Sequence, residues 1–253
     1  MEPLSVEAEY VLKFINQTQQ HVFLTGKAGT GKTTLLHQIT ASTHKNFAVV
    51  APTGIAALHA KGVTIHSFFQ LPFGTFLPVH EWPPYSTDTK LETKTTLAKH
   101  FKMNATKKAL IQQLQLLIID EVSMLRPDLL DAIEFMLQSV RKNKKSFGGV
   151  QVLFIGDLLQ LPPVIKDSEW QVLQKYYAGK YFFNAQSIHN KLIYIELEKI
   201  FRQQDAFFID LLNRFRTNTI VQQDIDYLNK YVNHSFSIDK NAGYIILTTH
   251  NSK

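Results

Sequence analysis

The sequence predicts an α/β fold, a parallel sheet with helices on both faces, and three observations carry that prediction. Short apolar runs suited to strands buried on both sides recur at His21 to Thr25 (HVFLT), Phe47 to Ala51 (FAVVA), Leu114 to Ile119 (LQLLII) and Val150 to Ile155 (VQVLFI). Segments of helical spacing lie between them, which repeats a strand–turn–helix unit. The stretch Gly26-Lys27-Ala28-Gly29-Thr30-Gly31-Lys32-Thr33 fits G-x-x-x-x-G-K-[ST] and falls between a predicted strand and a predicted helix, the order a phosphate-cradling loop requires. At 253 residues, 45% apolar and 19% charged, the chain has a globular composition and room for one large domain with an appendage, or for two modest domains.

In chain order, Val6 to Ile15 has helical spacing and leads into the first strand. Thr34 to Ile39 continues the glycine loop as an amphipathic helix. The second strand, Phe47 to Ala51, ends at Pro52-Thr53-Gly54, turn residues that begin a helix over Ile55 to Ala60, and a short helix covers Thr64 to Phe69. Prolines 72, 78, 83 and 84 predict an irregular stretch from Leu71 to Pro84 within an insertion that reaches Lys108. The insertion carries Phe73, Phe76, Trp82 and Tyr85, with six lysines against three acids. Aromatics interleaved with lysines suit stacking and phosphate contact with a nucleic-acid single strand, and suit a solvated lobe packed over the core about equally well.

Beyond the third strand, Arg126 to Val140 reads as a helix and Arg141 to Lys145 as a basic linker. The fourth strand then ends at Gly156-Asp157. A helix over Trp170 to Tyr177, a strand at Leu192 to Leu197 and helices at Ala206 to Arg216 and Asp224 to Val232 follow. Asn233 to Gly243 is polar and turn-rich, the best candidate linker, and Tyr244 to Thr248 reads as a further strand.

The chemistry collects at the carboxyl ends of these strands, where ligands of parallel sheets bind. Gly26, Lys27, Ala28, Gly29, Thr30, Gly31, Lys32, Thr33 and Thr34 are predicted to surround the phosphates of a nucleoside triphosphate through backbone N–H groups and the helix N-terminus. Lys32 meets the β- and γ-phosphates as a point charge, and the Thr33 hydroxyl sits on Mg²⁺. Asp120 and Glu121 end an apolar strand; Asp120 suits a Mg²⁺ holder and Glu121 a general base or water-positioner, the alternative being an exposed strand end. Gln160 and Arg202 are further candidates, because a neutral donor and a guanidinium can both reach a γ-phosphate.

A net charge of +6 favours an anionic partner, nucleic acid being the commonest. The absence of cysteine excludes disulfides and zinc–thiolate sites. Met1 to Tyr10 carries Glu2, Glu7 and Glu9 and has no signal-peptide apolar core, and no apolar run is long enough to span a membrane. A soluble intracellular protein is expected, cytoplasmic if bacterial, with a monomer favoured.

Several stretches together resemble the PIF-type DNA helicases, relatives of bacterial RecD in helicase superfamily 1B. They are GKAGTGKT (26–33), APTGIAA (51–57), TIHSFF (64–69), IIDEVSML (118–125), GDLLQLPPV (156–164) and FRQ (201–203), in the family's order. The resemblance implies a RecA-like lobe of an ATP-driven motor moving 5′ to 3′ on single-stranded DNA, with forked or structured DNA as partner and repair, recombination and telomere maintenance as settings. It implies a γ-phosphate sensor in Gln160, a phosphate-contacting arginine in Arg202, and single-strand contacts in Pro52, Thr53, Gly54, Thr64, His66 and Ser67. By residue type alone, Thr53 and Gly54 could equally form a helix N-cap and His66 a hydrogen-bonded core group. The implied organisation is a first lobe over 1–70 and 109–240, a wedge subdomain over 71–108 whose aromatics matter more for strand separation than for binding, and the start of a second lobe over 241–253. Glu9 stands where the family often has an adenine-reading glutamine. Two other readings remain: a DNA-binding module that uses ATP as a structural ligand, and a different P-loop ATPase or kinase.

Overall fold

The apolar runs do pair, side by side and in parallel. The computed structural model describes residues 4–82, 90–101, 103–188, 192–199, 206–233 and 235–236, and the chain divides into two units, 1–204 and 205–253. The first unit opens with α1 (Val6–Gln17), β1 (Val22–Gly26), α2 (Lys32–Ser42), β2 (Phe47–Ala51), α3 (Gly54–His59), β3 (Val63–Thr64) and α4 (Ile65–Phe69). The insertion adds β4 (Thr75–Leu77), β5 (Leu91–Thr93) and α5 (Lys94–His100). Next come α6 (Ala105–Gln113), β6 (Leu116–Ile119), α7 (Pro127–Arg141), β7 (Gln151–Ile155), α8 (Asp167–Leu173) and β8 (Ile193–Leu197). Six strands form one sheet in the order β3-β2-β6-β7-β1-β8, parallel at every pairing.

Side-chain alternation explains why the central strands read as unbroken apolar runs. In β6, Leu117 and Ile119 enter a core with Ile65, Phe69, Ile133 and Phe154, while Leu116 and Ile118 enter the opposite core with Val11, Ile15, Leu36 and Ile39. Every residue of β1, β6 and β7 is buried, and each large apolar side chain so placed contributes about 1.5–3 kcal/mol.

Three expectations need correction. Leu71 to Pro84 is not irregular throughout: Pro72 and Pro78 flank β4 instead of interrupting it, and β4 pairs in parallel with β5. Arg141 is not a linker residue, because its guanidinium donates to the carbonyls of Ile111, Gln112, Leu114 and Gly148 at 2.7–2.9 Å and ties α7 to the end of α6. The helix expected at Trp170 begins earlier, because the Glu169 carboxylate caps the Lys166 amide at 3.0 Å. β3, two residues long, had no sequence signal.

The insertion is fastened by buried charge. Arg126 makes a bidentate pair with Asp128 at 2.9 Å and reaches Glu169 at 3.1 Å and Thr75 at 3.3 Å. Asp128 in turn accepts from the Phe76 amide at 3.1 Å, so β4, α7 and α8 share one network.

The second unit contains α9 (Ala206–Thr217) and α10 (Gln222–Asn229), joined by a bidentate Arg214–Asp224 pair at 2.7 and 2.8 Å. Asp224 also accepts from the Val221 amide, which starts α10 before the expected Asp224. Arg202, most of the Asn233 to Gly243 linker and the Tyr244 to Thr248 strand lie outside the described residues. No helix among the described residues is long and apolar enough to cross a membrane.

Candidate functional site

The loop between β1 and α2 turns through residues that reach positive φ, at Gly26 (153°), Gly29 (83°) and Gly31 (85°). Gly31 is the N-cap of α2 and has no side chain to accept from its first amides, which leaves those donors for a ligand's oxygens. The Lys32 ammonium donates to the carbonyls of Gly26 at 2.6 Å and Lys27 at 3.0 Å, which holds it at the mouth of the loop. Thr30 is buried and donates to the Lys27 carbonyl at 2.9 Å, bracing the loop. Thr33 and Thr34 are exposed on the first turn of α2.

Asp120 and Glu121 follow β6. Burial pushes the Asp120 carboxyl up to about 6, with Glu121 adding to the rise while the Glu121 amide, at 3.0 Å, and the Lys32 charge oppose it. Lys32 therefore acts electrostatically on Asp120. Glu121 sits in the left-handed region at φ 53°, ψ 45°, an uncommon conformation for a side-chain-bearing residue and a mark of functional turns.

The turn bearing Glu121 presses on the next strand's end. A Cβ on Gly156 would lie 2.9 Å from both the Val122 amide nitrogen and its Cγ2, so only glycine admits this approach. Asp157, buried beside it, accepts from the Leu159 amide at 3.1 Å, and its carbonyl accepts from the Gln160 amide at 2.9 Å. Gln160 is exposed, its side chain within 3.5 Å of the Asp157 carboxylate. Asp157 is thus the residue that shapes the Gln160 loop. The sequence displayed it as a polar pair at a strand end but did not separate its role from that of Gln160.

At the other end of the same edge, Thr53 and Thr64 are helix N-caps, accepting from the Ala56 and Ser67 amides at 3.3 Å. Pro52 is half-buried, Gly54 and Ser67 are exposed, and the half-buried His66 ring stacks on Phe73 at 4.7 Å. Burial first, then the Arg126 charge, holds His66 below the usual histidine range.

Strand order turns these separate turns into one row. Thr64 to Ser67 follow β3, Pro52 to Gly54 follow β2, Asp120 and Glu121 follow β6, Gln160 follows β7 and the glycine loop follows β1, all at the carboxyl edge. A parallel sheet with this loop and these carboxylates at one edge defines a P-loop α/β domain. The chain belongs to the PIF1-like helicase family, whose family model matches residues 4–81 and 84–224.

The chain is 35% identical over 225 residues to the ATP-dependent DNA helicase PIF1 of Saccharomyces cerevisiae (strain YJM789), covering 86% of this chain and 23% of that protein. To the human ATP-dependent DNA helicase PIF1 it is 32% identical over 238 residues, covering 93% and 33%. Among solved structures, the Bacteroides Pif1 helicase in complex with ADP-AlF3 and single-stranded DNA superposes with a TM-score of 0.83 at 40% identity, over 99% of this chain and 55% of that one. The Candida albicans Pif1 helicase superposes at 0.71 with 33% identity, over 90% and 47%. The chain therefore spans about half the length of the solved relatives and less of the curated ones.

Proposed function

We propose that this chain is the nucleotide- and single-strand-binding lobe of an ATP-dependent DNA helicase that moves 5′ to 3′ and acts on single-stranded and forked DNA. The observation that carries the reading is the row along the carboxyl edge, where the phosphate loop and Glu121 lie in one line with the turns after β2 and β3. A shift at the nucleotide needs to cross only neighbouring strands to reach a bound strand. The names of the relatives support it: PIF1 proteins are called ATP-dependent DNA helicases, and a Bacteroides relative was solved on single-stranded DNA.

In this reading the loop amides and Lys32 bind the phosphates. Thr33 and Asp120 supply hard oxygen donors that fit Mg²⁺, which takes a few protein ligands and completes its shell with water and phosphate. When bound, the ion neutralises phosphate charge and favours the ionised form of Asp120. Glu121 positions water for attack on the γ-phosphate, and Gln160, with Arg202, senses that phosphate. Pro52, Thr53, Gly54, Thr64, His66 and Ser67 line the strand path, Thr53 and Thr64 through the turns they cap. Residues 71–108 form the strand-separating wedge of the first lobe, and 241–253 begin a second.

The test is ATP turnover with and without single-stranded DNA. We expect DNA to stimulate hydrolysis, and Lys32→Ala to weaken Mg²⁺-nucleotide binding sharply. Unchanged nucleotide affinity in that variant, read by calorimetry, removes the basis of the reading. Turnover indifferent to DNA favours a different P-loop ATPase or kinase.

A further inference from the structure

Phe73 is 76% exposed, yet it is not held loosely. On one side the amide of the buried Leu71 donates to the His66 carbonyl at 3.2 Å, closing the turn after α4. On the other, the Thr75 amide donates to the Lys90 carbonyl at 2.9 Å. Between those anchors one face of the Phe73 ring lies against the His66 imidazole, centroids 4.7 Å apart and planes 21° from parallel. The ring is oriented before any ligand arrives, and that saves the ordering entropy of binding. His66 is itself held in α4, two residues before Phe68, over whose ring the Lys107 ammonium lies at 4.0 Å.

We propose that the solvent-facing ring of Phe73, backed by the imidazole of His66, is a stacking platform for an unpaired nucleobase. The inference rests on the single-strand reading above and deepens it by singling out, from the insertion aromatics that suit stacking, a ring whose geometry prepares it for a base. It also exempts Phe73 from what the resemblance implies for the insertion's aromatics, that they matter more for strand separation than for binding. Every base offers a π-face, so the platform grips without reading sequence, as a translocating strand requires. The strand's phosphates then fall to lysines, and the base to Phe73.

The test compares a short thymidine oligonucleotide with an abasic oligonucleotide of equal length, each binding the 253-residue chain by fluorescence anisotropy at low salt. Phe73→Ala should weaken the thymidine oligonucleotide about tenfold and leave the abasic one unchanged, and Phe73→Trp should restore the loss. The thermal midpoint should stay put, because the ring lies mostly in water. Wild-type affinity of Phe73→Ala for thymidine, or an equal loss on both oligonucleotides, overturns the platform. If the unaltered chain binds neither oligonucleotide, the single-strand reading itself fails and takes the platform with it.

Discussion

Glu121 shows what a side chain and its backbone achieve together. Its left-handed turn aims the residue after a buried aspartate whose carboxyl is already raised by desolvation, so the two acids occupy different environments although they are neighbours. Only one is enclosed. That difference suits a division of labour, with Asp120 at the ion and Glu121 at the water. Glu121→Gln should therefore bind Mg²⁺-nucleotide as the parent does and lower DNA-stimulated turnover about 10²–10⁴-fold. Paired calorimetry and phosphate-release assays check it, and an equal loss of binding and turnover would assign Glu121 to metal holding or folding. At this scale the sequence was most informative where chemistry demands a fixed spacing, as in the glycine loop. It named Phe73 among the aromatics suited to stacking but could not single it out, because stacking on His66 depends on a turn whose closure at Lys90 lies across the insertion.

Among the elements, β6 and β7 carry Asp120, Glu121 and Gln160 at their carboxyl ends, and their mutual fit is set by Gly156. A methyl group there meets the Val122 amide at 2.9 Å, and backbone cannot step aside as a flexible side chain would. Gly156→Ala should shift the Glu121 turn, cost about 1–3 kcal/mol of stability, and slow hydrolysis more than it weakens nucleotide binding. Denaturant midpoints and the same turnover assay check this. The central strands were legible because burial on both faces removes polar residues and leaves unbroken apolar runs. Helix starts moved by a few residues wherever an acid three positions in reached back to cap, as Glu169 and Asp224 do. β4 escaped because its prolines suggested irregularity. The Arg126 network could not be read at all, since its members, Thr75, Asp128 and Glu169, meet only once the chain has folded.

For the whole chain, the excess of 27 lysines and arginines over 21 acids bears on the strength of the proposed strand binding, not on its selectivity. Each phosphate neutralised releases a counterion, so affinity for single-stranded DNA should fall log-linearly with salt, with a slope of about −0.7 per phosphate contacted. Anisotropy titrations across low to moderate salt measure that slope, and a flat line would make the basic balance incidental. Strand order carries another implication. β1, which leads into the phosphate loop, precedes β7 and β8 in sequence, yet it lies between them, pairing Val22 with Leu153 on one side and Ile193 on the other. Gly26 is itself pressed against the Leu197 carbonyl, in register with that residue. During synthesis the loop therefore emerges before either of the strands that flank β1. Until β8 arrives it is an unfinished strand end with an exposed edge, open to wrong pairing. Nucleotide can then assist folding only once the loop has both neighbours.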